Sequence, residues 1–205
     1  LWKSFPILGT ALGIGKGILQ IKERHFCEKI LLFARRIHDG FIDDEVFQEK
    51  LRLLDKNDKQ FKKEFELLII TLDRLDKAEK AVWLAEVYKA FLKKKMDSLA
   101  FEDLNLIIDR FFMSDKHLLL RIYYWDKDSK THNDYFLDLK HSYFNAQIIR
   151  LETDGLVFQT NMNTIADLEG KKEYELTAYG RALCEILVEG KIINNIPEFA
   201  FKNEP

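Results

Sequence analysis

Several features are scarce in this chain, and each scarcity excludes a class of protein. The two cysteines, Cys27 and Cys184, stand far apart and outside any Cys-x-x-Cys pair, which excludes a disulfide framework and predicts a reducing cytoplasm. Only three prolines and nine glycines occur in 205 residues, so long regular elements with few breaks are expected. The formal net charge of −2 gives no general attraction to nucleic acid or to an anionic membrane.

Residue patterns that carry chemistry are also missing. In the stretch from residue 55 to residue 66, Asp55, Asn57 and Glu66 stand at ligand positions 1, 3 and 12 of a calcium loop. Lys59 stands at ligand position 5, however, and Gln60 stands where the sharp turn needs glycine. No serine or cysteine lies in a nucleophile elbow. We therefore predict no metal, no cofactor and a non-catalytic protein. The five histidines show no zinc-binding spacing; they are His25, His38, His117, His132 and His141.

Residues 6–21, PILGTALGIGKGILQI, are apolar and rich in glycine. A phosphate-binding loop is excluded, because Lys16 is followed by Gly17 rather than by Ser or Thr. Two interpretations stay open for residues 1–22: a buried helix, or contact with the inner face of a membrane, since the first 36 residues hold seven Lys or Arg and two Glu. The side chains predicted to contact the membrane are Phe5, Ile7, Leu8, Leu12, Lys16, Ile18 and Leu19.

Residues 23–112 carry apolar positions at helical spacing. They predict successive helices with short links, which is typical of an antiparallel bundle. Asp76 is expected to cap a helix that runs to Lys95, and a further helix is expected after Ser98. A helix is also expected over residues 43–54. Two apolar stripes carry the prediction: Phe26, Ile30, Phe33 and Ile37 form one, and Phe61, Phe65, Leu68, Leu72 and Leu75 form the other.

Residues 113–190 mix helix and strand patterns. A helix is expected after Ser114 or Asp115, and a second helix is expected to end at Asp154-Gly155. Two short strands are expected over residues 156–160 and 173–176, and Thr177 is expected to cap a last helix. Residues 191–205 are predicted to be an extension. The predicted fold is mainly α, with a helical bundle followed by an α+β region that has a small β-hairpin.

The order of helix, glycine, strand, hairpin, strand and Thr-capped helix in RLETDGLV…YELTAYGRAL resembles the winged-helix family. The resemblance implies that the helix from Lys140 to Asp154-Gly155 is the recognition helix and that the segment around Lys171 and Lys172 forms the wing. In addition, DKAEKAVWLAEVYKAFLKKKMDSLAFEDLNLIIDRF resembles helical domains of uncharacterised bacterial TerB-like proteins. No site residue follows from this second resemblance.

The winged-helix resemblance implies contacts with duplex DNA or with a protein partner. The predicted contact residues are Lys140, His141, Asn145, Gln147, Arg150, Lys171 and Lys172. Residues 113–205 hold eleven Lys or Arg and fifteen Asp or Glu, and this acidic balance favours a protein partner over DNA phosphates.

Three functional hypotheses follow. The first is a non-catalytic bacterial protein that binds a protein partner and contacts the membrane through its N-terminus, with a homodimer as one form. The second is a transcription regulator that binds duplex DNA. The third is a ribonuclease that uses Arg110 and His117, whose spacing resembles the Arg…His pair of HEPN ribonucleases.

Overall fold

The computed structural model describes residues 21–39, 59–127, 142–160 and 174–190. Within these ranges the chain is mainly helical and has one small antiparallel sheet, as the sequence predicts. Contacts divide the chain into two compact units, residues 1–85 and 86–205. The first unit holds α1 (Ile21–His38), α2 (Lys59–Arg74) and the start of α3 (Glu79–Leu92).

The second unit begins inside α3, so the division differs from the boundary at residue 113 that the sequence suggests. The later elements are α4 (Ser98–Arg110), a 3-10 turn (Met113–Asp115), α5 (Lys116–Lys127), α6 (Ser142–Thr153), β1 (Val157–Gln159), β2 (Tyr174–Leu176) and α7 (Ala178–Glu189).

In the first unit, α1 and α2 pack along the two predicted apolar stripes. Ile30, Phe33 and Ile37 of α1 are buried, and so are Leu68 and Leu72 of α2. Spacing of three and four residues places these side chains on one face of each helix, and burial of that face stabilises the pair.

A buried lysine closes the end of α2. Nζ of Lys29 donates to the carbonyl oxygens of Asp73 at 2.7 Å and Leu75 at 2.8 Å. These carbonyls lie where a helix leaves acceptors without an intrahelical donor, so an ammonium group there satisfies them and complements the helix dipole.

The prediction for the start of α3 is wrong by two residues, because a cap at Asp76 would start the helix at Lys77. The helix begins at Glu79, and Asp76 lies before a turn in which Lys80 N–H donates to the carbonyl of Lys77. The carboxylate of Asp76 accepts a hydrogen bond from Nζ of Lys80 at 2.6 Å. Partial burial raises the pKa of Asp76, but the hydrogen bond and charge of Lys80, together with a backbone hydrogen bond and the charge of Lys77, give a net lowering of that pKa.

In the second unit, aromatic side chains join α3 to α4. The rings of Phe91 and Phe101 stack with centroids 4.6 Å apart, and Tyr88 packs beside them. The N-cap of α4 is Asp97, which accepts from the N–H of Ala100 at 2.8 Å. The sequence predicted a helix after Ser98; the helix begins one residue earlier, at Ser98, and the capping side chain is Asp97.

The sheet pairs β1 with β2 in antiparallel register, with Val157 opposite Leu176. The two strands are shorter than predicted, but their positions and direction are confirmed. Against them, α5 packs on β2 and on α7, and α6 packs on β1. The segment around Tyr123, which the sequence left open between helix and strand, is helical.

Two glycines allow α6, β1 and α7 to meet. Gly155 follows α6 with φ of 71°, a left-handed conformation that ends the helix as predicted. A Cβ on Gly180 would approach the carbonyl oxygen of Leu156 to 2.0 Å, so only glycine allows α7 to pack this closely. Thr177 caps α7 as predicted: its Oγ1 accepts from the N–H of Gly180 at 3.0 Å and donates to the carbonyl of Gly155 at 2.5 Å.

Candidate partner-binding surface on α6

The most constrained polar group in this region is Asp115, the last residue of the 3-10 turn before α5. Asp115 is buried, and only 1% of its surface is exposed to solvent. Ser114 Oγ donates to it at 3.0 Å, and Nε2 of Gln147 donates to it at 3.1 Å. A buried carboxylate needs such donors, because removing an unpaired charge from water costs on the order of several kcal/mol of free energy.

Arg150 supplies the balancing charge from α6. Its Nε and Nη2 donate to the two carboxylate oxygens of Asp115 at 2.6 and 2.7 Å. This two-point contact fixes the orientation of the guanidinium as well as its position. Gln147 strengthens the connection by donating also to the carbonyl of Ser114 at 3.0 Å. The residues from 114 to 115 are therefore held firmly against α6.

The same guanidinium forms part of the molecular surface. The Cζ atom of Arg150 lies 5.0 Å from the ring centroid of Phe112, a cation–π contact. Phe112 is 57% exposed and Ile149, the neighbour of Arg150 on α6, is 60% exposed. Asn145 and Ala146 are exposed one turn earlier. We refer to Phe112, Asn145, Ala146, Ile149 and Arg150 as the α6 surface.

The structure places the predicted contact residues in different environments. Asn145 is exposed, Gln147 is buried, and Arg150 is partly exposed and paired with Asp115. The amide of Gln147 is directed to Ser114 and Asp115, so its position supports the fold of the turn rather than an external contact. Lys140, His141, Lys171 and Lys172 lie outside the described residues.

Other predicted sites are placed as follows. Arg110 ends α4 and His117 lies in the first turn of α5, and both are exposed; their use in a ribonuclease stays a prediction. The seven predicted membrane contacts, the expected helix over residues 43–54 and the extension over residues 191–205 lie outside the described ranges. Glu66 of the calcium-like stretch is part of α2.

The described residues also bear on two other classes of site, metal sites and membrane-spanning helices. They contain no group of three or more His, Cys, Asp or Glu side chains arranged to hold a metal ion. Over the same ranges, every helix is too short or too polar to cross a bilayer.

Sequence reasoning missed the role of Asp115 and Phe112. Asp115 was expected only as a helix cap, and its partner Arg150 lies 35 residues further on, where no sequence spacing rule connects them. The signal that was available is the sequence FFMSD, in which an aromatic pair is followed, after two residues, by an acid at a helix start. Comparison of the chain with models of protein families, with curated proteins and with solved structures found no match.

Proposed function

We propose that this chain is a non-catalytic partner-binding protein and that the α6 surface is where a protein partner binds. The observation that carries the proposal is the exposure of Phe112 and Ile149 beside a rigid ion pair. Burial of one such side chain is worth roughly 1.5–3 kcal/mol. Because Asp115 already holds Arg150 in place, little side-chain freedom is lost when a partner covers this surface.

A photoreactive amino acid at position 149 of the full chain, produced at native level, tests the proposal. Discrete cross-linked products are expected, and Phe112→Asp in the same chain should remove them. Ile70 on α2 is the matched control, because it is an isoleucine of similar exposure, 55%. Equal products from positions 149 and 70 would contradict binding through the α6 surface.

The second candidate function is a regulator that binds duplex DNA. The observation that favours it is the order α6, β1, β2, α7 with antiparallel strands, which resembles the winged-helix family. In that arrangement the exposed Asn145 of α6 would contact base edges, since an Asn side chain pairs with adenine in the major groove.

Fluorescence anisotropy with duplex DNA at two salt concentrations separates the two functions. A DNA-binding protein loses affinity steeply as salt rises, in proportion to the phosphates it contacts. Lys140→Ala combined with Lys171→Ala should then weaken binding, whereas Arg150 is unsuitable for this test because its removal also unpairs Asp115. Affinity that does not change with salt or with these substitutions would remove the DNA-binding candidate.

Membrane contact through residues 1–22 is a separate part of the proposal. It rests on the apolar character of that segment and on the basic residues that follow it. Flotation with anionic liposomes, comparing the chain with one that begins at Glu23, tests it directly. Flotation that requires the first 22 residues is expected; equal behaviour of the two chains would contradict it.

A further inference from the structure

Helix α4 has one buried face and one face with exposed leucines. Leu99 is 65% exposed and Leu106 is 45% exposed. They lie seven residues apart, so they share one side of the helix two turns from each other. The opposite face is buried in the second unit through Phe101, Leu104, Asn105, Ile107 and Ile108.

Acidic side chains border the two leucines. At 100° per residue, Glu102 and Asp109 lie on one side of the line from Leu99 to Leu106, and Asp103 and Arg110 lie on the other. Glu102 and Arg110 are exposed, and both aspartates are partly exposed. Three carboxylates and one guanidinium give this face a formal charge of −2. We refer to Leu99, Glu102, Asp103, Leu106 and Asp109 as the α4 surface.

The local field on this face is negative, and the position of one carboxylate is fixed. Tyr179 of α7 donates its hydroxyl to Oδ2 of Asp103. This hydrogen bond, with partial burial and the charges of Asp103 and Asp97, raises the pKa of Tyr179. The tyrosine therefore remains a neutral donor at physiological pH, and Asp103 is held beside the leucines.

The charge pattern decides between possible occupants. A second copy of α4 packed antiparallel, with each Leu99 against the other copy's Leu106, would bring each Glu102 against the other copy's Glu102 and each Asp103 against the other copy's Asp103. This contact of like charges is destabilising. Nucleic acid and anionic lipid are repelled for the same reason. A helix that presents apolar residues along one side and Lys or Arg along its borders matches both the leucines and the carboxylates.

We infer that the α4 surface binds a basic amphipathic helix of another protein. The apolar residues of that helix pack on Leu99 and Leu106, and its cations pair with Glu102, Asp103 and Asp109. This inference is independent of the α6 surface, because it uses a different helix and different residues. The chain would then hold two protein segments at once, one on each surface.

The test uses the full chain and three fluorescent 18-residue peptides: a helical Leu/Lys amphipath, a scrambled peptide of the same composition, and a Leu/Glu amphipath. The Leu/Lys amphipath is expected to bind at least ~10-fold more tightly than the other two. Leu106→Ser and Glu102→Lys should each weaken binding by ~10-fold. Circular dichroism should show that both variants fold normally, because both side chains are exposed. Leu99→Ser is a further variant that should also weaken binding by ~10-fold without changing the fold.

Two matched controls separate the α4 surface from general attraction. Glu185→Lys reverses an exposed acid on α7, and Ile149→Ser removes an exposed isoleucine on α6; each should change affinity by less than ~2-fold. Equal loss from Glu185→Lys, or equal binding of the scrambled peptide, would overturn the inference. Concentration-dependent self-association of the chain that Leu106→Ser abolishes would also overturn it, by assigning the surface to a second copy. Failure of the α6 cross-linking experiment has no bearing on these outcomes.

Discussion

Two buried charges, one in each unit of this protein, are stabilised in different ways. In the first unit, the buried ammonium of Lys29 donates to backbone carbonyls at the end of α2. In the second unit, the buried carboxylate of Asp115 accepts from the side chains of Ser114, Gln147 and Arg150. Backbone acceptors persist through any side-chain substitution, whereas side-chain donors do not. The charge of Asp115 is therefore more sensitive than that of Lys29 to substitution of its partners, and its ion pair with Arg150 lies at the α6 surface.

Arg150→Met is expected to give the largest effect on this comparison. It leaves the buried Asp115 without its ion pair, which should lower the free energy of unfolding by about 3–4 kcal/mol. Urea unfolding followed by circular dichroism measures the loss. Arg181→Met, at an exposed arginine of α7, is the control and should cost about 0–1 kcal/mol. Adding Asp115→Asn to Arg150→Met should recover part of the loss; no recovery would show that the pair is not the cause.

Gly180→Ala should have the next largest effect, because it forces a Cβ against a backbone oxygen that cannot move alone. A cost of about 2–3 kcal/mol in unfolding free energy is expected. Gly155→Ala is the contrasting variant: nothing lies within 4 Å of the added Cβ, and only the positive φ opposes it, so about 1 kcal/mol is expected. Equal losses in the same urea titration would mean that the close approach at Leu156 is relieved by a small shift of α7.

Lys29→Met tests the first unit in the same way. The substitution keeps most of the buried aliphatic stem and removes the donor to two carbonyls, for an expected cost of about 1–2 kcal/mol. The exposed Lys63 of α2 provides the control as Lys63→Met, which should be neutral within about 0.5 kcal/mol. A loss from Lys29→Met as large as that from Arg150→Met would remove the difference between the two units.

The two cysteines allow the unfolding of each unit to be followed separately. This experiment has the smallest expected effect on the protein, because it only labels thiols that are already present. Burial, together with the charge of Glu185, raises the pKa of the Cys184 thiol to about 12. At about pH 8 that thiol stays protonated and unreactive, whereas Cys27 is partly exposed. Mass spectrometry of alkylated protein should show modification at Cys27 first. Arg150→Met should accelerate alkylation of Cys184 and Lys29→Met that of Cys27; the reverse pattern would contradict the assignment of each charge to its unit.

The sequence predicted the elements whose causes are local. The end of α6 at Asp154-Gly155 and the cap at Thr177 each depend on a residue type at one position, so they could be recognised directly. At the start of α4, Asp97 and Ser98 are adjacent residues that both suit a cap, and propensity alone does not choose between them. The start of α3 was misplaced, because Asp76 pairs with Lys80 and a turn intervenes before the helix.

The candidate site could be predicted only in part. Helical spacing shows which residues share a face but not what lies opposite that face, so the contacts of Arg150 and Gln147 with Asp115 could not be predicted. Their actual neighbour, Asp115, is brought there by the packing of the 3-10 turn against α6. The guanidinium of Arg150 is thus paired with a buried carboxylate that is distant in the sequence, and the sequence alone does not reveal this ion pair.

The hydroxyl of Thr177 hydrogen-bonds both to the residue that ends α6 and to the first turn of α7. This contact and the strand pair beside it together determine the effect of inserting residues between β1 and β2. The two ends of the segment 161–173 are already fixed by the pairing of Gln159 with Tyr174. Lengthening a connection between fixed ends costs only about 0.6 kcal/mol for each doubling of its length. An insertion between Gln159 and Tyr174 is therefore expected to leave the strand pair and the Thr177 contact in place.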